Sequence, residues 1–292
     1  MISVYAHSLI GDYMIFHRRV IRLFFFVYFR KRGFKRNHFR SIISPIEIEV
    51  SESKYLEKRI VEFKNIINPT LIPIKDFIRI GSQFDGGYVV PKIAIKRSSF
   101  LVSGGISNNN EFEIALAKKG FVGVQIDYSI SAPPEAHTNL FFVKKILGEE
   151  ISLKQATRYF SKLDGGILKL DIEGSEYKVI SDFNDFSRFN LIIIEFHYLN
   201  QIIDPKFYRN LKRSLLKIQK THSLVYMSPN NCCGYSIIGG QPIPKIIEFT
   251  WLKTNLVNKY KSNASKSNYR SLSSPNKPFK AKLDISNLFP NW

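Results

Sequence analysis

From about residue 98 onward, apolar runs of strand length alternate with helical patterns, and this alternation constrains the fold more than any other feature. Candidate strands are Phe100–Ser103, Gly123–Asp127, Gly166–Asp171, Leu191–Phe196 and Ser223–Ser228. Helical patterns lie at Glu111–Lys119, Leu153–Leu163, Glu176–Phe183 and Asp204–Thr221. Strands interleaved with helices need crossover connections, so the pattern predicts an α/β protein with a mostly parallel central sheet and helices on both faces. Upstream, residues 53–67 (SKYLEKRIVEFKNII) carry apolar groups at helical spacing, and Asn68-Pro69 ends that helix. A chain of 292 residues can bury one sizeable core.

The first motif is Leu101-Val-Ser-Gly-Gly-Ile-Ser-Asn-Asn-Asn-Glu-Phe-Glu113, in which an apolar strand runs through Ser103 into Gly104-Gly105 and a helix begins near Glu111. Glycines at such a junction let the backbone approach a ligand that a Cβ would exclude, and the helix start offers free N–H groups. Packing alone also produces strand–glycine–helix junctions. The next strand, Phe121-Val-Gly-Val-Gln-Ile-Asp127, ends in an acid 22 residues beyond Gly105. A carboxylate at that distance sits where a ribose binds, accepting from both hydroxyls. NAD and S-adenosylmethionine both remain open here. The turn is not a G-x-G-x-x-G, and S-adenosylmethionine has no pyrophosphate to require one, which favours the methyl donor.

The third motif, Gly166-Ile-Leu-Lys-Leu-Asp-Ile-Glu-Gly-Ser-Glu-Tyr177, is an apolar strand ending in Asp171-x-Glu173-Gly174. Alternation puts Asp171 and Glu173 on one side of an extended chain, at the edge where open α/β sheets bind ligands. Such a pair can orient a donor, hold a cation, act as a base, or merely cap the next helix. Glu195 and His197 alternate likewise on Ile194-Glu-Phe-His-Tyr198, and His197 has an ordinary pKa suited to taking a proton from a hydroxyl. Asp85-Gly86-Gly87-Tyr88 is either a loop over a ligand or an ordinary turn between strands.

Together, LKLDIEGSEYKVI and LIIIEFHYL resemble the FkbM-type methyltransferases and the related methyltransferase-like branch. An upstream Arg79-Ile-Gly81 with Asp85-Gly-Gly-Tyr88, and a later Asn230-Asn231 with Pro244…Glu248-Phe-Thr250, extend the similarity over about residues 77–252. The resemblance implies a Rossmann-like class I methyltransferase fold, S-adenosyl-L-methionine as donor, and O-methylation of a sugar, glycan or small-metabolite hydroxyl. It implies that Asp85, Gly87, Ser103, Gly104, Gly105, Asp127 and Asp171 hold the donor, with no metal assigned. His197 or Glu173 would deprotonate the acceptor. Where the family usually shows Gly-x-Gly, this chain has Gly105-Ile-Ser107. The rival readings are a donor-binding pseudoenzyme and, less favoured, an NAD(P)-dependent oxidoreductase.

The net charge of +19 sits in the flanks. Residues 1–40 carry nine basic side chains against Asp12 alone, and residues 253–292 carry eight against Asp284. A basic groove for nucleic acid needs charge near the active site, so the total charge is weak evidence for a nucleic-acid substrate. The small-molecule or glycan acceptor is what the resemblance implies. The pattern divides the chain into a basic, aromatic extension (1–50), a methyltransferase domain (51–252) and a basic C-terminal extension (253–292). Val20–Phe29 is about half the length of a membrane-spanning helix and is followed by Arg30, Lys31 and Arg32. It reads as a helix packed on the body or as a peripheral contact with anionic lipid at the inner face of the membrane. Cys232 and Cys233 are adjacent, an arrangement that seldom bridges, and so point to a reducing cytoplasm.

Overall fold

The computed structural model describes residues 14–15, 50–260 and 268–289. Strands β1 (Met14–Ile15) and β2 (Val50–Glu52) precede helix α1 (Lys54–Ile66). A hairpin of β3 (Phe77–Gly81) and β4 (Gly87–Pro91) leads to the short α2 (Lys92–Lys96). Then come β5 (Phe100–Gly104), α3 (Glu111–Ala117), β6 (Val122–Ile126), β7 (Leu140–Val143) and α4 (Leu153–Arg158). They are followed by β8 (Gly166–Leu170), α5 (Glu176–Asp182), β9 (Phe189–Phe196), α6 (Pro205–Gln219) and β10 (His222–Pro229). Strands β11 (Tyr235–Ile238), β12 (Gln241–Pro244) and β13 (Ile247–Lys253) precede the short helix α7 (Thr254–Val257).

The central sheet has the order β10-β13-β9-β8-β5-β6-β7. Strands β9, β8, β5, β6 and β7 are parallel, and β13 and β10 add two antiparallel neighbours at one side. This is the mostly parallel, Rossmann-like sheet expected from the alternation of elements. The chain leaves β5 towards β6 and later returns to β8 on its other side. Right-handed crossovers running in opposite directions place α3 on one face and α5 and α6 on the other. A second, small sheet has the order β1-β2-β11-β12.

Local signals explain where the helices start. Ser53 Oγ accepts the Leu56 N–H at 3.1 Å, and α1 buries Leu56, Ile60 and Phe63 on one stripe. Asp204 caps α6 by accepting from Lys206 and Phe207, with Pro205 in the first turn where no N–H is needed. α6 packs on α1 and α5. Every residue of β8 and β9 is buried, which is why their sequences are almost continuously apolar.

The C-terminal segment 268–289 is part of this core. Tyr269, Ile285, Leu288 and Phe289 are buried, and Tyr269 Oη exchanges hydrogen bonds with the Ile72 backbone. One expectation fails: Cys232 and Cys233 are joined, their Cα atoms 3.8 Å apart. Asn230 Oδ1 accepts the Cys232 N–H at 2.9 Å and folds this stretch into a tight turn where the neighbouring sulfurs meet. The pair therefore gives no argument for a reducing compartment. No helix among the described residues is long and apolar enough to cross a membrane. The candidate lipid contact at Val20–Phe29 lies outside the described residues.

Candidate functional site

The loops after β5 and β8 diverge at the carboxyl edge of the sheet, where open α/β sheets form a ligand crevice. Gly105 turns there with φ +74°, and a Cβ at this position would lie 1.7 Å from the Asp171 carbonyl oxygen. Asp171 N–H donates to Gly104 O at 3.0 Å, and Gly105 N–H donates to Ile126 O at 2.9 Å. The glycine turn is thus pressed between the ends of β8 and β6, and its glycines are required by packing whatever ligand sits above.

Asp127 secures the same turn. Its Oδ2 accepts the Ile106 and Ser107 N–H groups at 2.9 and 2.8 Å, and its Oδ1 accepts from Ser129 N–H and Oγ–H at 2.7 Å each. Burial pushes this carboxyl's pKa up, but the bonds from Ser129, Ser107 and Ile106 outweigh burial and hold it below the ordinary value. Ser107, the departure from Gly-x-Gly, has φ 43°. A serine here occupies the left-handed conformation that glycine adopts freely.

Beneath the turn lies a buried polar group legible only in part. Ser103 Oγ donates to Glu113 Oε1 at 2.5 Å, and Lys169 Nζ lies 3.8 Å from the same oxygen while donating to Gly105 O. Ser103, expected among the donor-binding residues, is wholly buried in β5 with its side chain bonded to Glu113.

The acids of the third motif meet His197 (2% exposed). Its Nε2 lies 3.3 Å from Glu173, 3.5 Å from Glu195 and 3.8 Å from Asp171. On the other side of the ring, Nδ1 lies 3.2 Å from Glu176 Oε1, which also accepts the His197 N–H at 2.8 Å. Glu176 is wholly buried, and its second oxygen accepts the Gly174 N–H at 2.8 Å. Burial pushes the His197 pKa down, yet the hydrogen bond and charge of Glu176 and the charges of Asp171 and Glu173 leave it raised. Asp171 and Glu173 do converge, though by a different route from simple alternation. β8 ends at Leu170, and Glu173 has φ 52°, so a left-handed turn carries its carboxylate back over His197. The positive-φ residues other than glycine among those described are Ser107, Glu173 and Tyr198, and all stand at this edge. Strain gathered in this way is a mark of functional sites.

Two further acids went unassigned. Glu248 on β13 is paired directly with Glu195 on β9. Burial pushes Glu248 up to about 8, and burial with the charges of Asp171 and Glu248 pushes Glu195 well above the ordinary carboxyl range. Glu248 is therefore largely protonated at neutral pH. Asn230 Nδ2 donates to both Glu195 oxygens at 3.2 Å. The signal available in the sequence was a glutamate amid the apolar run of β13, but its partner depends on a register between distant strands.

The hairpin and the C-terminal segment lie beside this edge. Arg79 Nη2 and Nε donate to Phe84 O (2.6 Å) and Ser82 O (2.9 Å), fixing the hairpin loop. Gly87 closes this loop, because a Cβ there would lie 1.8 Å from Ser82 O. Asp85 is exposed, its carbonyl held by Asn109 at 2.9 Å and its Oδ1 by Asn276 at 3.2 Å. Asn231 accepts the Lys277 N–H and donates to Lys277 O and Lys280 O, strapping the C-terminal segment beside the cluster. A cavity of about 600 Å³ lies at the opposite, amino edge, lined by Arg97, Gly165, Arg188, Asn190 and Lys253 among others. It touches neither the glycine turn nor the acids.

Residues 110–217 match the family model of the Methyltransferase FkbM domain. No curated protein matches the chain. Among solved structures, the chain is similar to a candidate DNA modification methyltransferase from an E. coli prophage, at 13% identity and a TM-score of 0.35. That likeness covers 55% of this chain and 48% of the other, so the chain spans about half of it. The Methanococcus jannaschii fibrillarin pre-rRNA processing protein is 12% identical over 55% of this chain and 68% of its own, with a TM-score of 0.33. A Pyrococcus abyssi tRNA (uracil-54, C5)-methyltransferase in complex with S-adenosyl-L-homocysteine is 16% identical over 61% of this chain and 44% of its own, with a TM-score of 0.30.

Proposed function

We propose that the protein is an S-adenosyl-L-methionine-dependent methyltransferase that O-methylates a hydroxyl of a sugar, glycan or small metabolite. The observation that carries this reading is the convergence of the glycine turn, Asp127 and Asp171 on one edge of the sheet, directly bonded to one another. The FkbM domain match over residues 110–217 supports it.

In this reading the donor lies over Gly104 and Gly105, with Asp85 and Gly87 of the hairpin on its outer side. Its ribose takes Asp127 Oδ1 in place of Ser129, since that carboxylate's acceptor positions are otherwise occupied. Asp171 faces the cationic end of the donor. The acceptor oxygen attacks the methyl carbon as the carbon–sulfur bond breaks, and the bonding pair passes to sulfur. Glu173, with its side chain 81% exposed, receives the hydroxyl proton and shares it with His197 Nε2, 3.3 Å away. Much of the acceleration comes from alignment, because a sulfonium is already a good leaving group.

Calorimetric titration with S-adenosylhomocysteine and with NAD tests the assignment. Micromolar affinity for the former, lost in Asp127→Ala and Asp171→Ala, is the expected result. Tight binding of NAD alone would overturn it. Donor binding with no methyl transfer to any of a panel of glycans and hydroxylated metabolites would favour the pseudoenzyme.

A further inference from the structure

We propose that the cavity at the amino edge of the sheet binds a small molecule bearing a diphosphate group. Its volume of about 600 Å³ lies in the range of small-molecule sites. Arg97, Arg188, Lys253 and Lys259 line it together with Asp164 and Asp185, four cations facing two carboxylates. The cations come from separate parts of the chain: the end of α2, the approach to β9, the end of β13 and the turn after α7. Among the described residues, none of these six groups enters an ion pair. The site does not rest on the methyltransferase reading, because it shares no residue with the glycine turn or the acids of the carboxyl edge.

The cations divide the work. Arg188 is half-buried, and its Nη2 donates to Phe160 O at 2.7 Å and Leu163 O at 3.3 Å. It builds the wall, and carbonyl oxygens leave its charge in place. Lys253 gives one N–H to Ser187 O at 2.5 Å, and an ammonium has two more to offer. The Arg97 guanidinium and the Lys259 ammonium make no hydrogen bond among the described residues. Arg97 is nonetheless firmly placed, because its carbonyl accepts from Asn190 Nδ2 at 2.6 Å. Gly165 fits against both, with φ +69°, and a Cβ there would come 2.5 Å from the Arg97 oxygen and 2.4 Å from the Asn190 nitrogen. The backbone under the cavity is fixed, and the free donors of Arg97, Lys253 and Lys259 stand on it. Of the acids, Asp185 accepts from Ser187 Oγ at 2.8 Å, and both are exposed to water. Concave protein walls focus the field of such charges, and phosphate oxygens can be shared among several cationic donors. A monoanion would offset only part of the excess of two cations, whereas a diphosphate offsets all of it.

Inorganic pyrophosphate is the probe, titrated calorimetrically into the full chain at about 150 mM NaCl, where exposed charges are largely screened. A Kd below about 1 mM is expected for a site that gathers several charge-assisted bonds. Arg97→Gln and Lys259→Gln should each weaken binding by about 5- to 20-fold. Lys144→Gln, an exposed lysine beyond β7 and outside the cavity, should change it by less than about twofold. Circular dichroism melting would establish that all three variants fold. No binding of pyrophosphate at about 10 mM, where weak surface attraction would already register, would overturn the site. So would an equal loss in Lys144→Gln, which would report only attraction to a strongly basic chain. A short single-stranded RNA that binds more tightly than pyrophosphate and responds to the same two cavity substitutions would overturn it in favour of a nucleic-acid surface.

Discussion

The two ends of the same parallel strands have been built to different specifications. At the amino edge there is open volume, about 600 Å³, and several of the polar side chains lining it are bonded to backbone carbonyls. Arg188 donates to Phe160 O and Leu163 O, Lys253 to Ser187 O, and Asn190 to Arg97 O. At the carboxyl edge, acids outnumber the cations that meet them, and three non-glycine residues hold positive φ. In the proposed reading it is the carboxyl edge, with its clustered acids and strained backbone, that takes the methyl donor.

Two lysines test that contrast most severely. Lys169 is buried under the glycine turn with Glu113, whereas Lys253 reaches Ser187 O in solvent. Lys169→Ala should lower unfolding stability by about 3–5 kcal/mol, because it strands a buried carboxylate. Lys253→Ala should change it by less than about 0.5 kcal/mol. Urea denaturation of both variants measures the difference, and equal losses would erase the distinction between the edges.

A smaller effect belongs to the amino edge. His222 is buried there, its Nε2–H donating to Phe189 O at 2.9 Å, and burial pushes its pKa down from 6.5 to about 4. The folded state thus binds fewer protons than the unfolded state between those values, so stability falls as pH drops through the window. The full loss is about 3 kcal/mol at the conversion of 1.36 kcal/mol per unit. His222→Gln should flatten the wild-type stability slope between pH 6.5 and 4. An unchanged slope would mean that the imidazole is not held neutral.

The smallest expected effect sharpens the reading of strain. Ser107→Gly relieves a left-handed serine worth about 1–2 kcal/mol but adds about 0.5–1 kcal/mol of unfolded-chain entropy. A net gain near 0.5 kcal/mol in thermal unfolding, with S-adenosylhomocysteine affinity kept within twofold, is the expected outcome. A loss of more than about 1 kcal/mol would show that the serine side chain, rather than the backbone, is what the turn needs.

These contrasts also show what the linear sequence could reveal. β5, β6, β8, β9 and β10 were legible because strands buried on both faces are nearly continuous in apolar residues. The hairpin partner strand β3 and the small β11–β12 pair have mixed patterns, so nothing local distinguished them from loops. Within the candidate site, Asp127, Asp171, Glu173 and His197 announced themselves by standing at strand ends. Glu113 and Glu176 did not, since an acid in the first turn of a helix reads as an ordinary favourable placement near the dipole. Lys169 left a trace, a charge inside an apolar strand, but its meaning needed the neighbouring helix. Glu248 needed a pairing with Glu195 across 53 positions of chain, which no local pattern encodes.

The strap made by residues 268–289 has a consequence for biosynthesis. Tyr269 closes on Ile72 across 197 positions, and Asn276 reaches Asp85 across 191. Contacts of such span form late, and during vectorial translation the earlier partner must wait for the later one to clear the ribosomal tunnel. A nascent polypeptide can already have paired its parallel strands while this strap is still missing. A ribosome stalled before residue 268 would display a folded sheet that lacks the bonds from Tyr269 to Ile72 and from Asn276 to Asp85.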